Sequence, residues 1–169
     1  MNMTHYMQLL ADNQPWNLLL FMAVPVVLAE TVAITELFVL LRRATGGLVL
    51  ALNRAASILG GVYFLGVFAY LLVTAVVPLT QGGQWRGPAD VIAVGAYLAG
   101  VLPLGLLALL DLRLVGRHWP QPRRLAWHAG AVAVFLVVAH VAMIFGMLDP
   151  TLLSPAAAGG AAHGGHTMP

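Results

Sequence analysis

The sequence predicts an all-α integral membrane protein, a four-helix bundle with both termini on the outer, periplasmic side of the membrane. Hydrophobic residues make up 60% of the 169 residues and charged residues only 8%, whereas a soluble domain carries about 25% charged residues. Four apolar stretches follow one another, each with the roughly 20 residues that a helix needs to cross a bilayer. Helices are expected because a spanning segment has to satisfy its own backbone hydrogen bonds.

The predicted elements, in chain order, are an outer tail, four spans and a second outer tail. Residues 1–15 are polar and lack the basic residues that begin a signal peptide, so we expect a retained N-terminal tail. The spans of the bundle (16–148) are expected at about residues 16–41, 55–78, 90–112 and 125–148. Residues 149–169 are rich in alanine, glycine and histidine, and we expect them to form a flexible outer tail.

Two prolines lie inside predicted spans, Pro25 in the first and Pro103 in the third. A proline lacks an N–H donor and clashes with the carbonyl four residues earlier, so each is expected to kink its helix. In lipid the released carbonyl still needs a donor. Some other group of the protein therefore has to satisfy it.

The positions of the arginines predict the orientation. The chain has eight basic residues, all arginine, and seven flank the first and third loops: Arg42, Arg43, Arg54, Arg113, Arg117, Arg123 and Arg124. The second loop carries only Arg86. Because short arginine-rich loops stay in the cytoplasm, we expect a multi-pass protein of the bacterial inner membrane with both termini outside.

Span one carries two carboxyl groups, Glu30 and Glu36, with Thr31 and Thr35 beside them. Glu30 lies about 21 Å along the helix from Trp16, a depth at which an ionisable group is costly and marks a functional hypothesis. It is either a ligand or proton-relay group, or a hydrogen-bonded carboxyl that holds helices together. Glu36 lies closer to the cytoplasmic edge, where Arg54 on span two is its expected partner.

Histidine and methionine are concentrated on the outer side of the predicted membrane. On span four, His140, Met143 and Met147 share one helix face because of their spacing, and imidazole with thioether ligands suits a soft ion such as Cu(I). Met22 lies at a similar depth, Glu30 lies about 7 Å deeper as a supporting or relay group, and His5, His163 and His166 lie in the outer tails; these residues would complete or feed the copper site. Ordinary packing and hydrogen bonding by these side chains is the alternative interpretation.

Haem is a second candidate cofactor. The two intramembrane histidines, His128 and His140, both lie on span four and are about 18 Å apart along it. They cannot bind one haem together. A haem held by one protein ligand, by His140 with Met22, or by two subunits stays open.

The run from Met3 to Leu37, MTHYMQLLADNQPWNLLLFMAVPVVLAETVAITEL, resembles the N-terminus of an uncharacterised bacterial family of small four-span membrane proteins loosely labelled putative permeases. The resemblance extends more faintly to the run HVAMIFGMLDP, which ends at Pro150. It covers most of the membrane core and implies the four-span fold. It implies no activity and no site residues.

Three functions remain open. The first is a membrane-embedded copper site used in metal handling or membrane redox chemistry. The second is a small permease or ion-coupled transport subunit whose polar path is lined by Glu30, Thr31, Thr35, Glu36 and Arg54. The third is a structural or assembly subunit of a larger membrane complex.

Phosphate-binding, dinucleotide and zinc-protease motifs are absent from the sequence, and the zero cysteine count excludes thiolate sites. The expected partners are lipid and either further copies of the chain or other subunits, not nucleic acid.

Overall fold

The structure, a computed structural model, describes residues 3–42, 46–151 and 153, and all regular secondary structure in these residues is helical. Four helices are long and apolar enough to cross a membrane: span one Trp16–Arg42, span two Leu48–Gln81, span three Pro88–Asp111 and span four Gln121–Met147. The chain is a multi-pass membrane protein. Spans two and four begin earlier than expected, at Leu48 and Gln121, because helical hydrogen bonding extends through the residues that precede the predicted spans.

Consecutive spans run in opposite directions, so the end of each span lies beside the start of the next. We call the end that holds Arg42, Leu48 and residues 111–121 the arginine-rich end, and the opposite end, which holds residues 3–12 and 148–151, the terminal end. Span one packs along span two, span two packs on the second half of span three, and span four packs along the whole of span three. Spans one and four contact each other over a shorter stretch.

Three spans contain an irregular segment shortly before a proline. The pairs are the π-helical segment Leu19–Ala23 before Pro25, the π-helical segment Leu72–Val76 before Pro78, and the break at Gly100 before Pro103. Because a proline displaces the carbonyl of the preceding turn, a π segment or a short break accommodates it. The helical irregularity at Pro25 is thus a π segment, and the irregularity at Pro103 is a short break in the helix.

Two tyrosine hydroxyls satisfy carbonyls that Pro25 leaves without a donor. The Tyr97 hydroxyl donates to the Phe21 carbonyl at 2.6 Å, and the Tyr63 hydroxyl donates to the Leu20 carbonyl at 2.8 Å. These acceptors lie four and five residues before Pro25, where an α-helical or π-helical N–H would bond. Since Tyr63 is on span two and Tyr97 on span three, these hydrogen bonds join three spans.

The centre of the bundle is packed through aromatic rings and one close helix approach. The Phe64 ring lies 5.2 Å from the Tyr97 ring and 6.4 Å from the Phe135 ring, between centroids. At Gly61 an added Cβ would lie 2.5 Å from the Ala108 Cβ, on span three. Spans two and three therefore approach too closely there for any side chain larger than hydrogen.

A short helix, His5–Ala11, covers the terminal end where the sequence predicts a tail. The Thr4 hydroxyl caps this helix by accepting from the Met7 N–H at 3.3 Å, and it donates to the Gly146 carbonyl of span four at 2.7 Å. Tyr6 packs against the bare backbone of Gly146, where an added Cβ would lie 2.7 Å from the Tyr6 ring. Burial raises the pKa of Tyr6 to about 12, so the phenol stays neutral at physiological pH.

Replacing Tyr97 with phenylalanine should destabilise the bundle because it leaves the buried Phe21 carbonyl without its donor. We expect the free energy of unfolding, measured by titrating the solubilised protein with a denaturing detergent, to fall by about 1–3 kcal/mol. In a Pro25→Ala background the cost should shrink, because an N–H at residue 25 can serve the same carbonyl. Tyr70→Phe is the control, since no hydrogen bond of the Tyr70 hydroxyl occurs in the described part of the chain. Equal losses in both backgrounds would contradict this assignment.

Candidate functional site

A buried cluster of polar side chains lies near the arginine-rich end of the bundle, and all four spans contribute to it. We call it the polar cluster; its members are Thr35, Glu36, Asn53, Ser57, Asp111 and His128. On span one and span two these residues recur at helical spacing among small or apolar buried neighbours, so they face the interior. Ionisable groups in such surroundings are rare and need partners.

His128 occupies the centre of the polar cluster between two carboxylates from different spans. Its Nδ1 lies 2.8 Å from Glu36 Oε2, and its Nε2 lies 3.1 Å from Asp111 Oδ2. Glu36 and His128 are each 5% exposed and Asp111 is 8% exposed, so bulk water is excluded from both contacts. Only the doubly protonated imidazole ring has a hydrogen to donate on both sides. The arrangement therefore ties the protonation of three side chains together.

Asn53 holds Glu36 in place from span two. Its side-chain amide donates to Thr35 Oγ1 at 2.9 Å, to the Val32 carbonyl at 3.2 Å and to Glu36 Oε2 at 3.2 Å. Asn53 and His128 both contact Oε2 of Glu36. The other carboxylate oxygen, Oε1, therefore has no hydrogen-bond partner among the described residues.

Three buried polar atoms of the cluster lack an aligned hydrogen bond within residues 3–42, 46–151 and 153: Glu36 Oε1, Ser57 Oγ and His128 Nδ1. The contact from His128 Nδ1 to Glu36 is close enough for an ion pair but is poorly directed. The contact from Nε2 to Asp111 is a proper hydrogen bond. Unsatisfied buried polar atoms are uncommon in proteins and call for an explanation. Here they leave Glu36 Oε1 as an acceptor without a donor among the described residues.

The structure brings together only part of the polar path predicted from the sequence. Thr35 and Glu36 belong to the polar cluster. Glu30 and Arg54 are exposed on the outside of the bundle, and the Thr31 hydroxyl donates to the Val27 carbonyl of its own helix at 2.7 Å.

The partners of Glu36 differ from the expected one. His128 and Asn53 contact its carboxylate, where Arg54 was expected. One residue along a helix turns the side chain by about 100°, so Asn53 faces span one while its neighbour Arg54 faces outwards.

Sequence reasoning missed His128, Asp111 and Asn53 as site residues. Asp111 is the last residue of span three and His128 lies two turns into span four, so both are close to the predicted membrane edge. Counted from the arginine-rich end, His128 is the eighth residue of span four and Asn53 the sixth of span two, against the seventh for Glu36 on span one. This similar depth is the signal that would have identified His128 and Asn53, whereas Asp111, the last residue of span three, gives no such signal.

The residues predicted to bind copper on span four lie on its outer surface. His140 is exposed, and its Nδ1 lies 2.6 Å from the Leu136 carbonyl. Met143 and Met147 are also exposed, whereas Met22 is half-buried against the apolar core.

Elsewhere, His5 contacts Asp90, and His163 and His166 lie outside the described residues. No group of three or more His, Asp or Glu side chains is arranged to hold a metal in the part of the chain that the structure describes. Copper and haem stay predictions.

A second polar group lies at the terminal end around Asp90, which is fully buried. Its carboxylate accepts from the His5 backbone N–H at 2.6 Å, contacts His5 Nδ1 at 2.5 Å and accepts from the Arg86 N–H at 3.2 Å. The Arg86 guanidinium donates to the Met3 carbonyl and to Gln8 Oε1. These bonds fasten the N-terminal helix over an open cavity of 370 Å³, whose floor includes Tyr97.

A model of a protein family of unknown function matches residues 1–161, which include all four spans and the polar cluster. The chain belongs to DUF6803. This DUF6803 assignment agrees with the expected resemblance to an uncharacterised family. No curated protein and no solved structure matches the chain.

Truncating His128 should strongly destabilise this DUF6803 protein, because it leaves two buried carboxylates without their shared partner. We expect His128→Ala to lower the free energy of unfolding by about 3–5 kcal/mol, the usual cost of breaking a buried ion pair from one side. His118→Ala is the matched control, since His118 is exposed and should change stability by less than about 0.5 kcal/mol. Similar small losses in both variants would mean that the His128 contacts contribute little.

Proposed function

We propose that this DUF6803 protein is a proton-conducting transport subunit in which Glu36, His128 and Asp111 bind and pass the proton. The observation that carries the proposal is the position of His128, within 2.8 Å and 3.1 Å of two carboxylates from two other spans. Proton transfer needs donor and acceptor within this range. Ionisable residues inside membrane bundles commonly mark ion pathways and proton relays.

The chemistry of the three groups suits passage of a proton rather than of a metal ion. Both ring nitrogens of His128 are taken up by carboxylate contacts, so the ring has no free nitrogen for a metal. An imidazole can accept a proton on one nitrogen and release one from the other. The uncommitted Oε1 of Glu36 offers an additional position for the proton on one side of the ring.

In this proposal the proton enters and leaves the relay from the two ends of the bundle. At the terminal end, the 370 Å³ cavity is lined by polar side chains that include Gln8, Thr74 and Gln84. At the arginine-rich end, Asp111 is the last residue of span three. Between them lies an apolar layer around Phe64, about 16 Å along span two from Asn53. Conduction requires that water transiently enters this layer. The π segment Leu72–Val76 beside the cavity is where the backbone of span two can change its hydrogen bonding to admit it.

The arginine asymmetry supports an orientation for this relay. We propose that the arginine-rich end lies in the cytoplasm and the terminal end in the periplasm of a bacterial inner membrane. The relay then lies close to the cytoplasmic surface, and the cavity opens outside.

Copper handling is the second candidate. The contact of His140 Nδ1 with the Leu136 carbonyl leaves Nε2 as the available ligand atom, and Met143 is exposed one turn further along span four. Because these residues face outwards, a complete site needs ligands from a second chain. Elemental analysis after addition of Cu(I) should then find copper bound to the wild type and lost in His140→Ala. Equal copper content in the two proteins would exclude this site.

Purified protein in liposomes should conduct protons when a potassium diffusion potential drives them, as read from a trapped pH-sensitive dye. We expect flux above that of protein-free liposomes, and a loss of at least about tenfold in Glu36→Gln and His128→Gln because the relay is interrupted. Glu36→Gln keeps the shape of the side chain and its acceptor for Asn53, so the fold should survive.

The matched controls are His118→Gln and Asp149→Asn, at exposed positions outside the relay. Both should conduct like the wild type. Absence of flux in the wild type, or full flux in a folded Glu36→Gln variant, would contradict the proposal. In either case the polar cluster would serve only to hold the four spans together, as in a structural or assembly subunit.

A further inference from the structure

Span one carries a carboxyl side chain on its outward-facing surface. Glu30 is exposed and lies near the middle of the 27-residue span. The ion pairs found among the described residues all involve other side chains. A carboxyl facing hydrocarbon at this depth is costly unless another group covers it. A group outside the described residues therefore has to contact Glu30.

Glu30 belongs to a continuous exposed stripe along span one. The stripe consists of Val27, Glu30, Ile34, Leu37 and Leu41, whose apolar members are 55–73% exposed. The alternating spacing of three and four residues is the spacing by which two helices interlock in a coiled coil. The opposite face of span one, which includes Glu36, is buried against the other spans. The stripe is thus separate from the polar cluster, and the inference does not rest on the proposed function.

We propose that this stripe binds the same stripe of a second copy of the chain, in a parallel dimer in which the two Glu30 side chains meet. Copies inserted in the same direction are related by a two-fold axis along the membrane normal, which places equivalent residues at the same depth. A neutral carboxyl group carries both a donor and an acceptor, so two of them can hydrogen-bond to each other. One polar pair in an apolar seam also fixes the register.

The depth of Glu30 favours self-pairing over pairing with His140, an exposed ionisable side chain of span four. The contact between Glu36 and His128 places those two side chains at one level. From that level towards the terminal end, Glu30 is six residues away and His140 is twelve. The two side chains differ in depth by about 9 Å, which is too far for a hydrogen bond between parallel copies.

Cysteine cross-linking tests the dimer directly, because the natural chain has no cysteine. Val27→Cys places one thiol on the stripe. Leu102→Cys is the control on span three, nine residues before Asp111 as Val27 is nine before Glu36, and Leu102 is more exposed than Val27 (73% against 59%). In purified protein reconstituted at a fixed lipid ratio, we expect oxidation to convert Val27→Cys to disulfide dimer and to leave Leu102→Cys monomeric.

Two further substitutions test the role of the carboxyl in the Val27→Cys background. Glu30→Gln keeps a donor and an acceptor and should retain the cross-linked dimer. Glu30→Leu removes both and should lower the dimerisation constant by about 5–30-fold, the effect of an interhelical polar contact in a membrane. Equal cross-linking at residues 27 and 102, or an unchanged dimer in Glu30→Leu, would overturn the proposal. A monomeric wild type would instead assign the stripe to a different protein.

Discussion

The contact of His128 with Glu36 on one side and Asp111 on the other is the interaction on which the arginine-rich end of the bundle depends. It joins spans one, three and four at a place that bulk water does not reach. Asn53 adds span two by holding the same carboxylate. Removing one of these side chains leaves the charges of the others buried without a partner. This destabilises a protein far more than replacing a whole buried ion pair with apolar residues does. The side chains that stabilise this end of the bundle are therefore the same ones that bind the proton in the proposed function.

The same constraint, that polar groups in an apolar bundle need partners inside it, organises the rest of the molecule. Pro25 releases carbonyls in span one, and Tyr63 and Tyr97 supply hydroxyls from two neighbouring spans. At the terminal end, the Asp90 carboxylate binds the first residues of the N-terminal helix. Glu30 is the exception on span one, since its carboxyl faces outwards. That exception is the reason to expect a second chain there.

The four spans were predictable because the apolar stretches are long and are separated by arginine-rich or polar loops. The irregularity at Pro25 and Pro103 followed from proline chemistry alone. The partners of Glu36 were not predictable, because the face that a residue presents depends on how helices pack, and one step from Arg54 to Asn53 changes it. The helix formed by residues 5–11 was missed because seven residues are too few to show a clear helical period, and contacts with Gly146 and Asp90 stabilise it.

Infrared difference spectra of the reconstituted protein, recorded as pH is varied, test most directly whether the polar cluster binds a proton. The carboxyl stretching bands report protonation of Glu36 and Asp111 in the membrane. We predict a pH-dependent carboxyl band in the wild type that disappears in Glu36→Gln or Asp111→Asn and is displaced in His128→Gln. Difference spectra that are the same in the wild type and in all three variants would show that the cluster takes up no proton, and would contradict the account.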